Sequence, residues 1–243
     1  MHLSLLPIPG RLLHGGLPEL LLVARKDPAF LIEWIDSFYA RDILELFGIR
    51  NRQGFLALFR LLLRQSGGQL DYSRLANLSE MSRVTVKAHI EAMQIAHVVH
   101  LLRPFHGGGK REIVSRPKCY AFDTGFVTFE KGWDTIRSDD RGLLWEHLVL
   151  DSLRFHYADE DISYWQDKSR REIDFVIRRE RDRVDVVECK INPDRLDATA
   201  AEAFRALYPA GDNYVVSPAV KTPTRLRRGE LVFTACNTGD FPL

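Results

Sequence analysis

Two short apolar runs in the second half of the chain place charged residues at fixed positions on neighbouring strands. The runs, and the charged, turn-compatible segment between them, are residues 172–177, 184–190 and 178–183. Because successive side chains of a strand point to opposite faces, Glu188 and Lys190 share one face and Cys189 lies on the other, inward side. The pattern predicts a β-hairpin with Asp174 on its first strand and an anion and a cation on one face of its second.

These residue types suit metal-assisted phosphate chemistry. Mg²⁺ takes carboxylate oxygens, usually one or two from the protein, so Asp174 and Glu188 are candidate ligands. An ammonium such as that of Lys190 can orient a water molecule or hold a phosphate beside the metal. The alternative is a surface hairpin whose exposed Glu and Lys form a weakly stabilising pair.

The surrounding pattern predicts an α/β domain. Apolar residues recur at helical spacing over 142–155, with Glu146 in the first turns. A strand over 162–166 precedes the hairpin, and Asp194 can cap a helix that runs to residue 206. With a last strand over 213–217, the order is helix, strand, hairpin, helix, strand.

An earlier segment has a helix-turn-helix pattern, a short helix over 73–76 and a longer one over 79–93. We expect Val84, Ala88, and with them Ile90 and Met93, to face the core. The residues expected on the outer face of the second helix, as candidates for nucleic-acid contact, are Arg83, Thr85, Lys87 and His89.

Two strands and a glycine-rich turn follow this pair of helices. The strands are expected over 98–102 and 118–122, and the turn over 106–111 contains Lys110 and Arg111. Together these elements predict a winged helix, with five Lys or Arg residues and one Glu between 103 and 118. A basic wing can bind a phosphate backbone, although winged helices also serve in protein docking. Lys168, Arg170 and Arg171, beside the hairpin, are further candidates for backbone contact, with plain solvated charge as the alternative.

The first third of the chain reads as helical. Asp27 and Pro28 open one helix, and residues 53–65 form another that is apolar on most sides. No segment contains the Gly-x4-Gly-Lys-Ser/Thr pattern of a phosphate-binding loop, so we expect no ATP hydrolysis by this chain. Apolar segments at 3–6 and 20–23 favour self-association or partner binding.

Composition fits a cytoplasmic protein. The chain has 243 residues, a formal net charge of +1 and three widely separated cysteines, which match neither a disulfide framework nor a zinc site. The apolar stretches are too short to span a bilayer, and residues 1–10 lack the basic start of a secretory signal.

The order of the C-terminal elements resembles the PD-(D/E)XK nuclease fold: Glu on a helix, Asp on a strand, Glu-x-Lys on the next. More of the chain is similar to bacterial and archaeal AAA-family ATP-binding proteins, whose C-terminal half is a domain of unknown function. The segments that carry this second resemblance are 13–19, 39–42, 117–125, 145–146 and 172–175. In that family an ATPase module precedes the winged helix and the nuclease-like domain, so the module is expected to be truncated, lost or supplied as a separate subunit.

The resemblance implies a mixed α/β protein in three regions: a helical region over 1–66, a winged helix over 67–138, and a restriction-endonuclease-like domain with a central mixed sheet over 139–243. Asp174, Glu188 and Glu146 would hold Mg²⁺, with Mn²⁺ as a substitute, and Lys190 would position the attacking water. The implied activity is metal-dependent hydrolysis of nucleic acid, most simply DNA. The alternative is a noncatalytic module that binds DNA or a partner ATPase.

Overall fold

The computed structural model describes residues 8–21, 27–107, 116–180 and 182–241, and it is a mixed α/β structure. The chain forms two compact units: residues 1–101 with 117–137, and residues 102–116 with 138–243. This division differs from the three expected regions, because 1–66 clusters with most of 67–138 and because 102–116 clusters with the C-terminal part.

The first unit is mostly helical. Its helices are α1 (Ile8–His14), α2 (Pro18–Leu21), α3 (Pro28–Phe38), α4 (Glu45–Phe47), α5 (Arg52–Arg64), α6 (Tyr72–Leu78), α7 (Arg83–Ile95) and α8 (Thr124–Glu130). Asp27 caps α3 by accepting a hydrogen bond from the Ala29 amide at 2.9 Å, and Pro28 occupies the favoured first position. A π-helical segment, Tyr39–Leu44, joins α3 to α4.

The helix pair α6 and α7 occupies the predicted helix-turn-helix segment. Asp71 caps α6 by accepting from the amides of Ser73 and Arg74, and Ser82 caps α7 by accepting from the Thr85 amide at 3.0 Å. The second helix therefore begins later than expected, after a turn that contains residues 79–81.

Two segments that stood out in the sequence meet in the first unit. The Asp123 carboxylate accepts hydrogen bonds from the Gly16 amide at 2.6 Å and the Gly125 amide at 2.7 Å. Gly15 has a φ of +83°, and a Cβ atom there would collide with the Asp123 carboxylate. Segments 13–19 and 117–125 thus form a structural joint in which glycine is required.

The strands of the first part of the chain are β1 (Gly68–Gln69), β2 (Val99–Pro104) and β3 (Lys118–Ala121). In the first unit, β1 pairs antiparallel with β3, with Gly68 opposite Cys119. The Phe122 amide, just after β3, donates to the Val98 carbonyl at 3.1 Å.

The second unit is built around a mixed sheet. Its helices and strands are α9 (Arg141–His156), β4 (Ile162–Gln166), β5 (Glu172–Glu180), β6 (Arg183–Cys189), α10 (Thr199–Arg205), β7 (Asn213–Val216), β8 (Thr224–Arg228) and β9 (Leu231–Cys236). The strand order is residues 103–104, then β4, β5, β6, β7, β9 and β8. The pairs β4–β5, β5–β6 and β8–β9 are antiparallel, whereas β6–β7 and β7–β9 are parallel. The ends of β4, β6, β7 and β9 and the starts of β5 and β8 therefore lie at one edge of the sheet.

Helices cover the sheet. Phe204 of α10 belongs to a buried apolar cluster with Val176, Val186 and Val215, so these inward residues of β5, β6 and β7 define one face. From α9, the Trp145 indole Nε1 donates to the Val216 carbonyl at 2.9 Å, which fixes that helix to the end of β7.

The prediction that a helix begins at Asp194 is wrong. Asn192 caps a single 3-10 turn, Pro193–Arg195, and the buried Leu196 then adopts an extended conformation that breaks the helix. Asp197 accepts from the Thr199 amide at 3.0 Å, and α10 begins only there. Strands β8 and β9 were not predicted from the sequence.

No helix within the described ranges is both long and apolar enough to cross a membrane.

Candidate functional site

The predicted hairpin is confirmed as β5 and β6. Its ladder runs from Glu180 opposite Arg183 to Phe175 opposite Val187. Asp174 and Glu188 are the next residues beyond that last pair, so the geometry of the ladder brings them side by side at the sheet edge.

One ammonium group joins the two carboxyl groups. The Lys190 Nζ atom lies 2.7 Å from Glu188 Oε2 and 3.4 Å from Asp174 Oδ2. The Cys189 amide also donates to Asp174 Oδ2, at 2.7 Å, so the backbone of β6 fixes the Asp174 side chain. The expected shared face of Glu188 and Lys190 is confirmed, and the contribution of the Cys189 backbone was not visible in the side-chain pattern.

The cluster is more buried than a surface hairpin would allow. The side chains of Glu188, Asp174 and Lys190 are 5%, 17% and 29% exposed. Burial, together with the neighbouring Asp174 carboxylate, raises the pKa of Glu188 to about 8. Burial acts to lower the pKa of Lys190, but the Asp174 and Glu188 carboxylates outweigh it and raise that pKa above its ordinary value. Glu188 therefore keeps its proton at neutral pH, and Lys190 stays charged.

The raised pKa of Glu188 predicts a pH-dependent stability. A carboxyl group whose pKa is higher in the folded state contributes stability that is complete below its unfolded value and is lost as the pH rises through about 8. We therefore expect Glu188→Gln to gain stability relative to the wild type as the pH rises from 5 to 8.5, by up to about 4 kcal/mol. Urea denaturation at a series of pH values measures this difference.

Glu160→Gln is the matched control, because Glu160 is an exposed carboxylate in a 3-10 turn. Its unfolding curve is expected to follow the wild type at every pH. Parallel profiles of unfolding free energy against pH for the wild type and Glu188→Gln would contradict the assignment of a proton to Glu188 at neutral pH.

Glu146 is close enough to the cluster to act on the Cys189 thiol by its charge. It lies in the second turn of α9 and is half-buried. Burial raises the pKa of the Cys189 thiol, and the charges of Asp174, Glu146 and Glu188 raise it further. All three carboxylates thus act on one thiol, but the direct ligand role expected of Glu146 stays a prediction.

Within the part of the chain that the structure describes, no group of three or more His, Cys, Asp or Glu side chains is arranged to hold a metal ion. The structure brings the carboxyl groups of Asp174 and Glu188 together at this edge of the sheet, and their role as metal ligands stays a prediction. A pair of carboxylates is sufficient for Mg²⁺ when water and phosphate oxygens complete its shell.

A basic turn lies beside the cluster. Lys168 and Arg170 are exposed in the turn between β4 and β5, which ends three residues before Asp174. Arg171 is also exposed, but its Nε atom donates to Asp167 at 2.7 Å. The charges of Lys168 and Arg170 are therefore the ones best placed to meet a phosphate backbone at this edge.

Three of the candidates on α7 are accessible to different degrees. Arg83 and Lys87 are exposed, and the Lys87 Nζ atom lies 5.5 Å from the centre of the Tyr72 ring. Thr85 is half-buried, and its hydroxyl lies 2.8 Å from that of Ser82 at the cap. Their contact with nucleic acid stays a prediction.

The expected outward position of His89 is wrong. His89 is only 6% exposed, and its ring packs 5.6 Å from that of Phe55. Val84 and Ala88, expected in the core, are exposed, and Val86 is buried instead. The buried face of α7 is therefore rotated from the expected one, because packing against α5 determines it.

Two wing candidates, Lys110 and Arg111, lie outside the described residues.

Comparisons with known proteins place the chain in a family. The chain belongs to the family described as Domain of unknown function (DUF8612), whose model matches residues 8–136. A second family, Domain of unknown function (DUF4143), matches residues 141–236. This match fits an ATPase-associated domain in the C-terminal part.

Similar proteins occur in archaea and bacteria. The uncharacterized protein MJ1544 of Methanocaldococcus jannaschii is 26% identical over 67% of this chain and 37% of its own length. The uncharacterized protein Rv2008c of Mycobacterium tuberculosis is 29% identical over 68% of this chain and 39% of its own length. The matched part of the chain thus spans less than two fifths of the length of each of these relatives.

Solved structures give only distant similarity. The transcriptional regulator SlyA matches 55% of this chain and 92% of its own, with 15% identity and a TM-score of 0.24. A half-complex of Thermococcus gammatolerans McrB AAA+ hexamers with bound McrC matches 82% of this chain and 52% of its own, with 13% identity and a TM-score of 0.31. Scores this low carry no argument about fold or function.

Proposed function

We propose that the second unit is a PD-(D/E)XK-like nuclease domain that hydrolyses phosphodiester bonds of nucleic acid, most simply DNA, with Mg²⁺ or Mn²⁺. The observation that carries the proposal is the meeting of Asp174, Glu188 and Lys190 at one edge of the sheet. Two hard oxygen donors and one ammonium, on rigid strands, match the needs of metal-assisted phosphoryl chemistry.

The donor set fits such an ion by its chemistry. Asp174 and Glu188 would hold it, and the ion would replace the proton of Glu188, with Glu146 completing or orienting the shell. Bound there, Mg²⁺ would stabilise charge on the phosphoryl oxygens and make a water molecule more acidic.

The protein's own residues would supply binding and orientation. Lys190, held 2.7 Å from Glu188, would donate a hydrogen bond to the attacking water or to a phosphate oxygen. The Cys189 amide keeps Asp174 in a fixed orientation, so little rearrangement is needed when substrate arrives. Lys168 and Arg170 would hold the phosphates that flank the scissile bond.

A nucleic-acid-binding segment would deliver this activity to its substrate. We propose that α6, α7, β2 and β3 act as a winged helix, with Arg83, Thr85 and Lys87 toward nucleic acid and with Lys110 and Arg111 on the wing. A separate ATPase subunit is the proposed partner, and the three free cysteines are consistent with a cytoplasmic location. Self-association of the chain is a further proposal.

A noncatalytic module is the second candidate, and one observation favours it. The Lys190 ammonium is already paired with both carboxylates, as in a structural ion pair that stabilises the hairpin. Such a module would bind DNA or a partner ATPase without turnover.

A cleavage assay separates these candidates. Supercoiled plasmid and labelled DNA and RNA oligonucleotides are incubated with the full chain in Mg²⁺, Mn²⁺ or EDTA. We expect metal-dependent cleavage by the wild type and only background cleavage by Asp174→Ala. Asp182→Ala, which removes an exposed carboxylate from the far end of the same hairpin, is expected to cleave like the wild type.

Equal background cleavage by the wild type and by Asp174→Ala would refute the nuclease proposal and favour the noncatalytic module. Binding measured over a range of salt concentrations would then test that module, because phosphate contacts predict a steep loss of affinity with salt. A thermal melt of each variant confirms that it is folded.

A further inference from the structure

The outer strand of the second unit's sheet carries a dense run of arginines. Strand β8 has the sequence Thr-Arg-Leu-Arg-Arg, so three of its five residues are arginine. It pairs with β9 on one side only and is the last strand in the sheet order. Its outer backbone groups and its side chains therefore define one edge of the second unit.

Two of these arginines are exposed on the face of β8 opposite α10. Leu226 is opposite Phe233 and packs against the α10 cluster, so the alternate residues Arg225 and Arg227 point to the other face. Both are exposed, and the neighbouring Val232 of β9 is 42% exposed. This surface, defined by Arg225 and Arg227, is the β8 surface.

Among the residues that the structure describes, the two guanidinium groups have no carboxylate partner. Across the described ranges no carboxylate lies within 4.0 Å of the guanidinium of Arg225 or Arg227. Arg228 differs, because its side chain is held by Asp194 at 3.5 Å. Exposed charge on an edge strand also prevents edge-to-edge aggregation, and the two roles are compatible.

The register places strand β8 three strands away from the cluster of Asp174, Glu188 and Lys190, at the same end of the sheet. Glu188 is opposite Val215, Val215 is opposite Ala235, and Ala235 is opposite Thr224. Three strand spacings separate the ends of this row, about 15 Å. Arg225 is the next residue along from Thr224 and points to the opposite face.

We propose that the β8 surface binds the sugar–phosphate backbone of a nucleic acid that reaches the cluster at the sheet edge. Guanidinium groups bind phosphate oxygens through two parallel hydrogen bonds, which suits a ligand with a charge at every step. The inference rests on the proposed function for its class of ligand, and it adds a binding surface outside the Asp174 cluster.

Binding, measured apart from cleavage, tests the β8 surface. Fluorescence anisotropy of labelled DNA and RNA oligonucleotides of one sequence is recorded in EDTA. The salt concentration is varied in steps between about 50 and 300 mM. We expect the double variant Arg225→Gln/Arg227→Gln to bind at least about tenfold more weakly than the wild type. For this variant, the slope of log binding constant against log salt concentration should be smaller in magnitude by about 1.4–1.8, which corresponds to the loss of two phosphate contacts.

Arg183→Gln is the matched control, because it removes one exposed arginine from the far end of β6. It is expected to bind within about twofold of the wild type. If the double variant loses affinity for DNA alone, or for RNA alone, the result supports the proposed role of the β8 surface and identifies which nucleic acid binds there.

The proposal is overturned if the double variant binds both oligonucleotides like the wild type, or if the wild type binds neither. It is also overturned if only binding of an acidic peptide, such as poly-glutamate, is lost. Failure of the proposed function is a separate result: a wild type that binds through β8 but never cleaves with Mg²⁺ refutes hydrolysis and leaves the β8 surface intact.

Discussion

Replacing Lys190 by methionine is expected to slow metal-dependent cleavage by roughly 10²–10³-fold, the usual effect of removing one preorganised donor from a reacting group. The ammonium lies 2.7 Å from Glu188 and 3.4 Å from Asp174, so it is the cationic side chain placed at both carboxylates. Single-turnover cleavage of a labelled oligonucleotide under saturating protein measures the rate.

Lys221→Met is the control for this variant, because it removes an exposed lysine from the loop before β8. Its cleavage rate is expected to equal that of the wild type. Without its cation the Asp174–Glu188 pair is less stable, so the thermal melts of both variants are compared at the assay temperature. A folded Lys190→Met protein with an unchanged rate would show that the ammonium is only structural.

Replacing Arg205 by methionine is expected to lower the free energy of unfolding of the second unit by about 3–5 kcal/mol. The Arg205 guanidinium is largely buried at the end of α10 and donates to five acceptors. They are the carbonyls of Val184 (2.9 Å), Tyr208 (3.2 Å), Ala210 (3.1 Å) and Asp212 (2.6 Å), and Asn213 Oδ1 (2.7 Å).

These bonds tie α10 to the starts of β6 and β7, so their loss leaves buried carbonyls without a donor. Methionine retains the aliphatic part of the side chain, which limits the effect of an empty cavity. Arg195→Met, in the exposed turn before α10, is expected to change stability by less than about 0.5 kcal/mol. Similar urea denaturation midpoints for Arg205→Met and the wild type would contradict this account.

The cluster at the sheet edge was predictable because strands have a simple period. Alternation placed Glu188 and Lys190 on one face, and the short charged segment between two apolar runs forced a hairpin that brings Asp174 to them. The burial of Glu188 was not predictable, because it depends on β7 and the helices, which pack from distant parts of the chain.

Other elements were set by tertiary contacts. The inward orientation of the His89 side chain follows from its packing on Phe55, which lies 34 residues earlier in the chain. Strand β8 was missed because its arginines look like a solvated loop, and only pairing with β9 makes the segment a strand. The late start of α10 follows from the extended conformation of Leu196 after the 3-10 turn, a local break that the sequence pattern leaves undecided.

The central claim is that Asp174 and Glu188 together form a divalent-cation site. Titration of the full chain with Mn²⁺ in a calorimeter tests it without any need for turnover. The account predicts saturable binding by the wild type, loss of that binding in Asp174→Ala and in Glu188→Gln, and unchanged binding in Asp182→Ala. Equal Mn²⁺ binding by the wild type and Asp174→Ala, or no binding by the wild type, would contradict it.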